Sequence, residues 1–303
     1  MREDLNPFLA RIIIADKNEW AGNVDDARKL LEDICQKWPK GKKVKFIITC
    51  GGFIQFGWPK SISRSGVGDN KYPKKKSVDV LVKEAEKCVK KLVLDYGLDE
   101  KLKEFTDYIT LGVDSYAVDE GNPKELHIEL VFLIDLRENK IIHWTGKSYP
   151  LSEQQNGLVR ISNLKTHFLN LGGFGKLMIL GCNDLTIFNS RSKNAKGWRK
   201  KINKEFKKLA KQKKPICVLQ HPHTTVKIRT WLNAWSCLAK LLPSVKQYAG
   251  AGRYFEPDHN SSDYDALDDV LKSTKFGNTI DFIVSLPKIS AVTYLSKGIR
   301  KNH

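Results

Sequence analysis

The sequence predicts an α/β fold with mixed sheets, and two observations carry this prediction. Short apolar or β-branched runs alternate with segments whose apolar residues recur every three or four positions, which is the pattern of strands alternating with amphipathic helices. Predicted strands at 126–136 and 141–144 are separated by the turn residues 137–140, which indicates a hairpin. Because hairpin strands are antiparallel, the sheet is not expected to be purely parallel.

The individual elements follow from the same two patterns. The first strand, 11–15, is rich in isoleucine, and Asn23 behind it caps an amphipathic helix. A second strand at 45–50 leads into a glycine pair, and Ser77 begins a long helix that ends near Gly97. The remaining predicted elements are strands at 108–113, 177–180, 216–219, within 247–255 and at 279–286, and helices at 193–214 and 231–242.

Nothing in the sequence divides it into separate domains. No internal repeat and no clear linker is found, so residues 1–303 are predicted to form a single domain. Two segments stand out by their charge. Residues 193–214 contain eleven Lys or Arg and one Glu and predict a basic amphipathic helix, whereas 256–269 contain six acidic residues and no Lys or Arg and predict an acidic loop.

Composition indicates a soluble protein of a reducing compartment, and we expect it to be cytoplasmic. The chain begins with no charged leader followed by an apolar segment, and no apolar run approaches the ~20 residues of a membrane helix. The six cysteines form no CxxC pair and match neither a zinc site nor a disulfide framework. They lie at positions 35, 50, 88, 182, 217 and 237.

The net charge of +18 is the one unusual bulk property. Such a charge permits binding to nucleic acid or to another polyanion, and the predicted basic helix 193–214 would supply the surface. A lysine-rich surface without any such partner explains the same number. The sequence leaves both interpretations open.

The segment 172–184, GGFGKLMILGCND, is the strongest candidate for a catalytic site. Its apolar run predicts a buried strand that ends in the sequence Gly181-Cys182-Asn183-Asp184. Glycine and asparagine tolerate left-handed backbone, so a sharp corner is expected there. A thiol on such a corner is presented outward, as a cysteine nucleophile must be. The alternative is that Cys182 is a small buried apolar residue.

With these pieces in order, the sequence resembles the nitrilase superfamily of carbon–nitrogen hydrolases over roughly residues 10–290. The segment GKLMILGCND is similar to that family's nucleophile corner, and Lys147 in TGKSYP follows the hairpin, where the family has a lysine. The helix and strand that end in His221-Pro222-His223 resemble the family's next layer. The resemblance implies a four-layer α-β-β-α sandwich with mixed sheets, and it implies a homodimer.

The resemblance also implies a reaction that needs no metal and no cofactor. Cys182 would attack the carbon of a small amide or nitrile and form a thioester that water then cleaves. Lys147 as an ammonium would stabilise the thiolate and the oxyanion, and backbone N–H groups around Asn183 would add further donors. Glu153 approximately matches the family's secondary glutamate and would orient the lysine. Asp184 is expected to hold the turn rather than to act as a base.

One departure from the family pattern favours a second hypothesis. The family's glutamate stands a few residues before the Gly-Trp-Pro at 57–59, where this sequence has Cys50-Gly51-Gly52-Phe53 and no acid. A thiol in this chemistry needs a group that removes and returns a proton. The alternative function is therefore a catalytically degenerate nitrilase-fold protein that binds or senses a ligand through its basic surface.

Four further residues are predicted to contact substrate. Phe53 and Trp58 lie in the aromatic loop after the second strand, and His221 and His223 follow a later strand, so all four are expected to line the site. The alternative for each aromatic residue is a place in the core. The two histidines do not predict a metal site, because Pro222 disturbs their common direction and no third ligand is close in sequence.

Overall fold

The computed structural model describes residues 8–15, 20–69, 72–116, 125–150, 157–225, 228–254, 265–285 and 288–294. The strands within these residues are numbered in chain order. They are β1 (Leu9–Ile14), β2 (Val44–Ile48), β3 (Ile54–Phe56), β4 (Gly68–Asp69), β5 (Tyr72–Pro73), β6 (Thr106–Ser115), β7 (Glu129–Asp135), β8 (Lys140–Gly146), β9 (Phe168–Leu171), β10 (Gly175–Leu180), β11 (Cys217–Gln220), β12 (Gln247–Gly250), β13 (Lys275–Phe276), β14 (Thr279–Ser285) and β15 (Lys288–Tyr294).

The helices separate the strands much as the sequence predicts. They are α1 (Val24–Gln36), α2 (Arg64–Val67), α3 (Lys75–Val93), α4 (Leu98–Leu102), α5 (Gly197–Lys213), α6 (Ile228–Leu241) and α7 (Leu267–Ser273), with 3-10 helices at Leu164–His167, Asp184–Phe188 and Ser190–Asn194. Among the helices that the structure describes, none is long and apolar enough to cross a bilayer.

Two large mixed sheets carry these strands. The first has the order β15-β14-β1-β2-β6-β7-β8, with β3 paired to β6. Its central pairs β14–β1, β1–β2 and β2–β6 are parallel, and β6, β7 and β8 are antiparallel neighbours. The second sheet has the order β13-β12-β11-β10-β9, in which β10, β11 and β12 are parallel. The hairpin expected at 126–144 is therefore confirmed as β7–β8.

Side chains along the central strands point alternately to the two faces of each sheet, and this alternation produces four layers. In β2, the side chain of Ile47 packs toward α1 and α3, while Phe46 and Ile48 face the second sheet. In β10, Leu177 and Ile179 face the first sheet, and Met178 and Leu180 face α5 and α6. Odd- and even-numbered residues of one strand enter different cores because successive side chains point to opposite faces of a sheet. The layer order α-β-β-α confirms the predicted fold class of a four-layer sandwich with mixed sheets.

The two charged segments differ from their predicted boundaries. The basic helix predicted at 193–214 is divided: a 3-10 helix ends at Asn194 and α5 begins at Gly197, whose φ of +56° interrupts the helical path. The apolar residues of α5, such as Phe206, pack on the second sheet. Of the acidic loop predicted at 256–269, residues 256–264 lie outside the described residues, and the rest leads into α7. Binding of nucleic acid or an acidic partner by the basic segment 193–214 stays a prediction.

A fully buried ion pair connects the two sheets. Arg11 and Asp281 are register partners on β1 and β14, and neither side chain is exposed. The guanidinium donates to Asp281 Oδ1 at 2.8 Å, to Thr274 Oγ1 at 2.7 Å and to the carbonyls of Gly250 and Leu271 at 3.1 and 2.8 Å. Together with a second bond to Asp281, all five N–H donors are used. The pair therefore holds β12 and α7 against the first sheet.

Breaking this pair from one side should be costly, since it leaves a buried charge unpaired. We expect Arg11→Met to lower the free energy of unfolding by about 3–5 kcal/mol. The double variant Arg11→Met/Asp281→Leu should recover part of that loss, because neither charge then remains. Urea denaturation measures both. The control Lys101→Met removes an exposed pair with Glu32 and should cost less than about 1 kcal/mol. A double variant no more stable than Arg11→Met contradicts this account.

Candidate active site

The corner that carries Cys182 is held by the side chain of Asp184. β10 ends at Leu180, and the 3-10 helix that follows begins at Asp184, which is fully buried. Its Oδ2 accepts the N–H of Gly181 at 3.0 Å, and its Oδ1 accepts the N–H groups of Ser148 and Tyr149 at 3.0 and 2.8 Å. Asp184 thus ties the corner to the loop after β8 and does not face substrate as a free base.

This connection brings Lys147 next to the corner. A Cβ atom on Gly181 would lie 2.9 Å from the backbone N and Cα of Lys147, so the two segments pass as close as a glycine allows. The Lys147 side chain is 1% exposed. The structure therefore brings together two predicted residues, Cys182 and Lys147, that are distant in sequence.

Lys147 is paired with Glu129, the first residue of β7. Its Nζ donates to Glu129 Oε1 at 2.8 Å, and its backbone N–H donates to the Glu129 carbonyl at 2.9 Å. Burial disfavours the ammonium, but the charges of Glu129 and Cys182 outweigh burial and raise the pKa of Lys147. Burial likewise disfavours the carboxylate, but Lys147 and then His223 lower the pKa of Glu129. Both groups are therefore charged at neutral pH.

His223 completes the group around the thiol. Its backbone N–H donates to Cys182 Sγ at 3.3 Å, and its ring Nδ1 lies 3.7 Å from Glu129 Oε2. The other ring nitrogen, Nε2, forms a short hydrogen bond to Asp114 Oδ2 near the end of β6. Although burial opposes the imidazolium, Asp114, Glu129 and Cys182 raise the pKa of His223 well above its ordinary value. Cys182 and His223 are half-buried, so a small molecule can reach them.

His221 lies at the junction of the two sheets. It is buried, and its Nδ1 donates to the Thr49 carbonyl at 2.8 Å, which joins the ends of β11 and β2. Burial lowers the pKa of His221 to about 3, so the ring is neutral. The ring is held inside this junction by Nδ1, and its predicted contact with substrate stays a prediction. Gln220 supports the same region by donating to the Cys182 carbonyl at 3.0 Å.

The glycine pair after β2 lies directly beside His223. A Cβ on Gly51 would be 2.9 Å from the His221 carbonyl oxygen and 3.3 Å from His223 Nδ1. A Cβ on Gly52 would be 2.9 Å from Asp114 Oδ2, and Gly52 has a φ of +62°. The family resemblance predicts an acid at this corner. The structure instead places the His223 imidazole and the Asp114 carboxylate beside the two glycines.

The structure also shows where three other predicted site residues lie. Phe53 is fully buried in the core beneath α1 and α3 and stacks on Trp20 with ring centroids 5.6 Å apart, so its ring offers substrate no surface and that prediction is wrong. Trp58 packs on the same core and donates to the Ile62 carbonyl at 2.7 Å. Asn183 is buried beside the thiol, and its Nδ2 has no hydrogen-bond partner among the described residues. Glu153 lies outside the described residues.

Sequence reasoning missed Glu129 and Asp114. Each is an acidic residue within an otherwise apolar strand. A charged residue in such a strand is rarely buried without a partner, and this could have pointed to both. The partner of Lys147 depends on a bulge between Leu133 and Ile134, which shifts the β7–β8 register by one residue. Counting back from the turn without that bulge would place Ile128 opposite Lys147.

Glu129, Cys182 and His223 are the described residues close enough to share a metal ion. One ligand atom from each lies within 4.8 Å of the other two. Lys147 argues against a cation at this point, because its ammonium already neutralises Glu129 at 2.8 Å and would repel a second positive charge.

No protein-family model matches the sequence, and no curated protein matches it. Among solved structures, the C. elegans NitFhit protein has a TM-score of 0.43 and 12% identity, covering 86% of this chain and 53% of its own. An N-terminal amidase has a TM-score of 0.36 and 12% identity, covering 76% and 52%. This chain thus spans about half the length of the solved structures to which it is similar.

Substitution at Gly52 tests how tightly the glycine corner fits the Asp114–His223 pair. Gly52→Ala should lower the free energy of unfolding by at least about 2 kcal/mol, because it adds a contact at 2.9 Å to an unfavourable φ. The control Gly41→Ala has a similar φ of +71° with no atom within 4 Å and should cost about 1 kcal/mol. Chemical denaturation measures both variants. Equal losses would show that the corner has room for a side chain.

The neutral state of His221 predicts an acid-side loss of stability. Its pKa is about 3 in the fold and near about 6.5 in the unfolded chain, so its contribution is complete above about pH 6.5. It falls progressively as the pH drops toward 3. His221→Asn keeps a donor for Thr49 without titrating, and its stability should fall less steeply between pH 6.5 and 4 in urea titrations. Parallel profiles for the variant and the unsubstituted protein would rule this assignment out.

Proposed function

We propose that this protein is a carbon–nitrogen hydrolase that cleaves an amide with Cys182 as the nucleophile. One observation carries the proposal: the thiol, the Glu129 carboxylate and the His223 imidazole have ligand atoms within 4.8 Å of one another, against a buried lysine. Buried charges are costly unless they are used or paired, and such clusters concentrate at catalytic sites. The half-buried thiol gives a substrate access to the cluster.

The chemistry follows from the placement of each group. The thiolate of Cys182 attacks the amide carbon, and the carbonyl oxygen becomes an oxyanion. The Lys147 ammonium stabilises both the thiolate and the developing oxyanion electrostatically, with added effect because it is shielded from water. Collapse of the intermediate breaks the C–N bond, releases an amine or ammonia and leaves a thioester on Cys182. Attack by water then breaks the C–S bond and releases the acid.

Glu129 favours an amide over a nitrile as the substrate. Its Oε1 is bonded to Lys147, whereas its Oε2 is buried and has no hydrogen bond among the described residues. The lowered pKa of Glu129 keeps this oxygen an acceptor. An amide N–H can donate to it, and a nitrile nitrogen cannot. A buried acceptor left without a donor is unfavourable, so binding of an amide is stabilised at this position.

The competing proposal is a protein that binds a ligand without catalysis. The absence of an acid at Gly51-Gly52 is the sequence feature that favours it. The buried pair of Lys147 and Glu129 beside a reachable thiol weighs against it, since a binding surface needs no nucleophile at its centre. A fixed ammonium next to a thiol is the arrangement that raises thiolate reactivity.

The proposal predicts amide hydrolysis that depends on Cys182. The full-length chain should release ammonia from at least one member of a panel of primary amides, including glutamine, asparagine and short-chain aliphatic amides. Hydroxylamine should intercept the thioester as a hydroxamate. Cys182→Ala should lose at least about 10³-fold in rate with an unchanged circular dichroism spectrum. The control Cys237→Ala removes another half-buried thiol and should retain activity.

Two outcomes would contradict the proposal. Ammonia release that is equal in Cys182→Ala would assign the activity to another group. Absence of turnover with the whole panel, without any hydroxamate or mass adduct at Cys182, would favour the binding protein instead.

A further inference from the structure

Cys182, His223 and Asp114 lie together at the meeting point of the two sheets: a ring nitrogen of His223 is within 4.8 Å of Cys182 Sγ, and its Nε2 is hydrogen-bonded to Asp114. His223 follows β11 of the second sheet, and Asp114 is in β6 of the first. The Nε2–H group of His223 donates to Asp114 Oδ2, so the remaining nitrogen, Nδ1, is the one available on the side of Glu129 and Cys182. A nucleophile, a base beside it and a carboxylate that orients the base form the general pattern of an activated nucleophile.

The neighbouring groups leave His223 as the one suited to exchange a proton with substrate. Lys147 is an ammonium paired at 2.8 Å with Glu129 and has no free electron pair to act as a base. Glu129 is held ionised by Lys147, which makes its carboxylate a weak base. Asp184 accepts three backbone N–H groups and holds the corner. Imidazole is the side chain that most readily both takes and returns a proton near neutral pH.

Glycine at 51 and 52 is what allows the imidazole to occupy this place. A Cβ on Gly51 would approach His223 Nδ1 to 3.3 Å, and one on Gly52 would approach Asp114 Oδ2 to 2.9 Å. The backbone N–H of Gly51 also donates to the Pro222 carbonyl at 3.0 Å, immediately before His223 in the chain. The corner therefore leaves room for the histidine, and a side chain at either glycine would require its neighbours to shift.

We propose that His223, oriented by Asp114, is the acid–base catalyst for Cys182, and this inference rests on the hydrolase function proposed above. In acylation, Cys182 reacts as the thiolate while its proton is held on His223 Nδ1, the S–C bond forms, and the C–N bond breaks as Nδ1–H protonates the departing amine. In deacylation, the neutral Nδ1 takes a proton from water as the water oxygen bonds to the carbonyl carbon. The C–S bond then breaks, which releases the acid and restores the thiolate beside the protonated ring. The sum is one amide and one water converted into an acid and an amine.

The first test measures the thiol chemistry directly and needs no substrate. Alkylation of each cysteine by iodoacetamide is followed by mass spectrometry in the full-length chain between pH 5 and 9. Cys182 should react fastest at pH 7, because burial raises the pKa of Cys35 to about 11 and of Cys50 to about 12. In His223→Gln, the Cys182 rate at pH 7 should fall at least about 10-fold, because the thiolate loses the neighbouring imidazolium that favours it.

Matched variants identify the origin of the change. Asp114→Asn removes the orienting charge and should give an intermediate rate, whereas His143→Gln, on β8, should leave the Cys182 profile unchanged.

The groups that face His223 and shape its profile come from several elements. They are Asp114 from β6, Glu129 from β7, Lys147 after β8, Cys182 after β10 and Arg253 after β12, whose Nε donates to the His223 carbonyl at 3.3 Å. A Cys182 profile that is unchanged in His223→Gln overturns the inference.

A second measurement applies if His223→Gln does not fold. The imidazole signals of His223 are followed by NMR against pH in the unsubstituted protein and in Cys182→Ala. Removing the thiol should shift the His223 titration midpoint downward, since a negative sulfur stabilises the imidazolium. An identical midpoint in the two proteins would show that the groups are not coupled and would overturn the inference.

The results separate this inference from the proposed function. If Cys182 reactivity depends on His223 but no amide is hydrolysed, the hydrolase proposal fails and the Cys182–His223 pair remains. If amide hydrolysis depends on Cys182 but kcat and its pH profile are unchanged in His223→Gln, the function stands and the catalyst assigned here is wrong.

Discussion

The carboxylate of Asp184 is the constraint on which the candidate site depends. It accepts one backbone N–H from the corner at Gly181 and two from the loop after β8, so it fixes two segments that lie 35 residues apart at Cys182 and Lys147. Charge-assisted bonds to backbone donors are short and directional, and burial makes their loss expensive. The close contact between Gly181 and Lys147 is possible only under this restraint. The thiol and the ammonium are therefore neighbours because of a third residue that does no chemistry.

The junction of the two sheets shows how surroundings decide the role of a residue. His221 and His223 are two positions apart, yet burial against the Thr49 carbonyl makes the first neutral, while carboxylates on two strands favour the charged form of the second. Both rings cross from the second sheet to the first. One closes the junction and the other faces the thiol. The same side chain is therefore neutral in one place and favours its charged form in the other, so the surroundings and not the residue type decide its protonation.

The sequence was informative where structure is local and less so where it is long-range. A corner at Cys182 was predicted from local sequence, but the left-handed backbone expected of it is not found: Asn183 has a φ of −99°, and Asp184 holds the turn by accepting the N–H of Gly181. Lys147 was found only through the resemblance to a family, since nothing in its own segment distinguishes it. Glu129 was missed because its pairing depends on a bulge in the β7–β8 pair, where Ile142 of β8 is the extra residue, and a shift of one residue changes the partner. Asp114 and His223 meet only when the two sheets pack, which no local pattern encodes.

The glycines after β2 and the His223–Asp114 pair fit together closely. A Cβ on Gly52 would approach Asp114 Oδ2 to 2.9 Å, and one on Gly51 would approach His223 Nδ1 to 3.3 Å, so a side chain at either position would require its neighbours to shift. The glycines and the pair therefore belong to a single arrangement. In the mechanism proposed above, the group that exchanges protons is supplied by the second sheet and oriented by the first, and it takes the part that the family resemblance gives to an acid after β2.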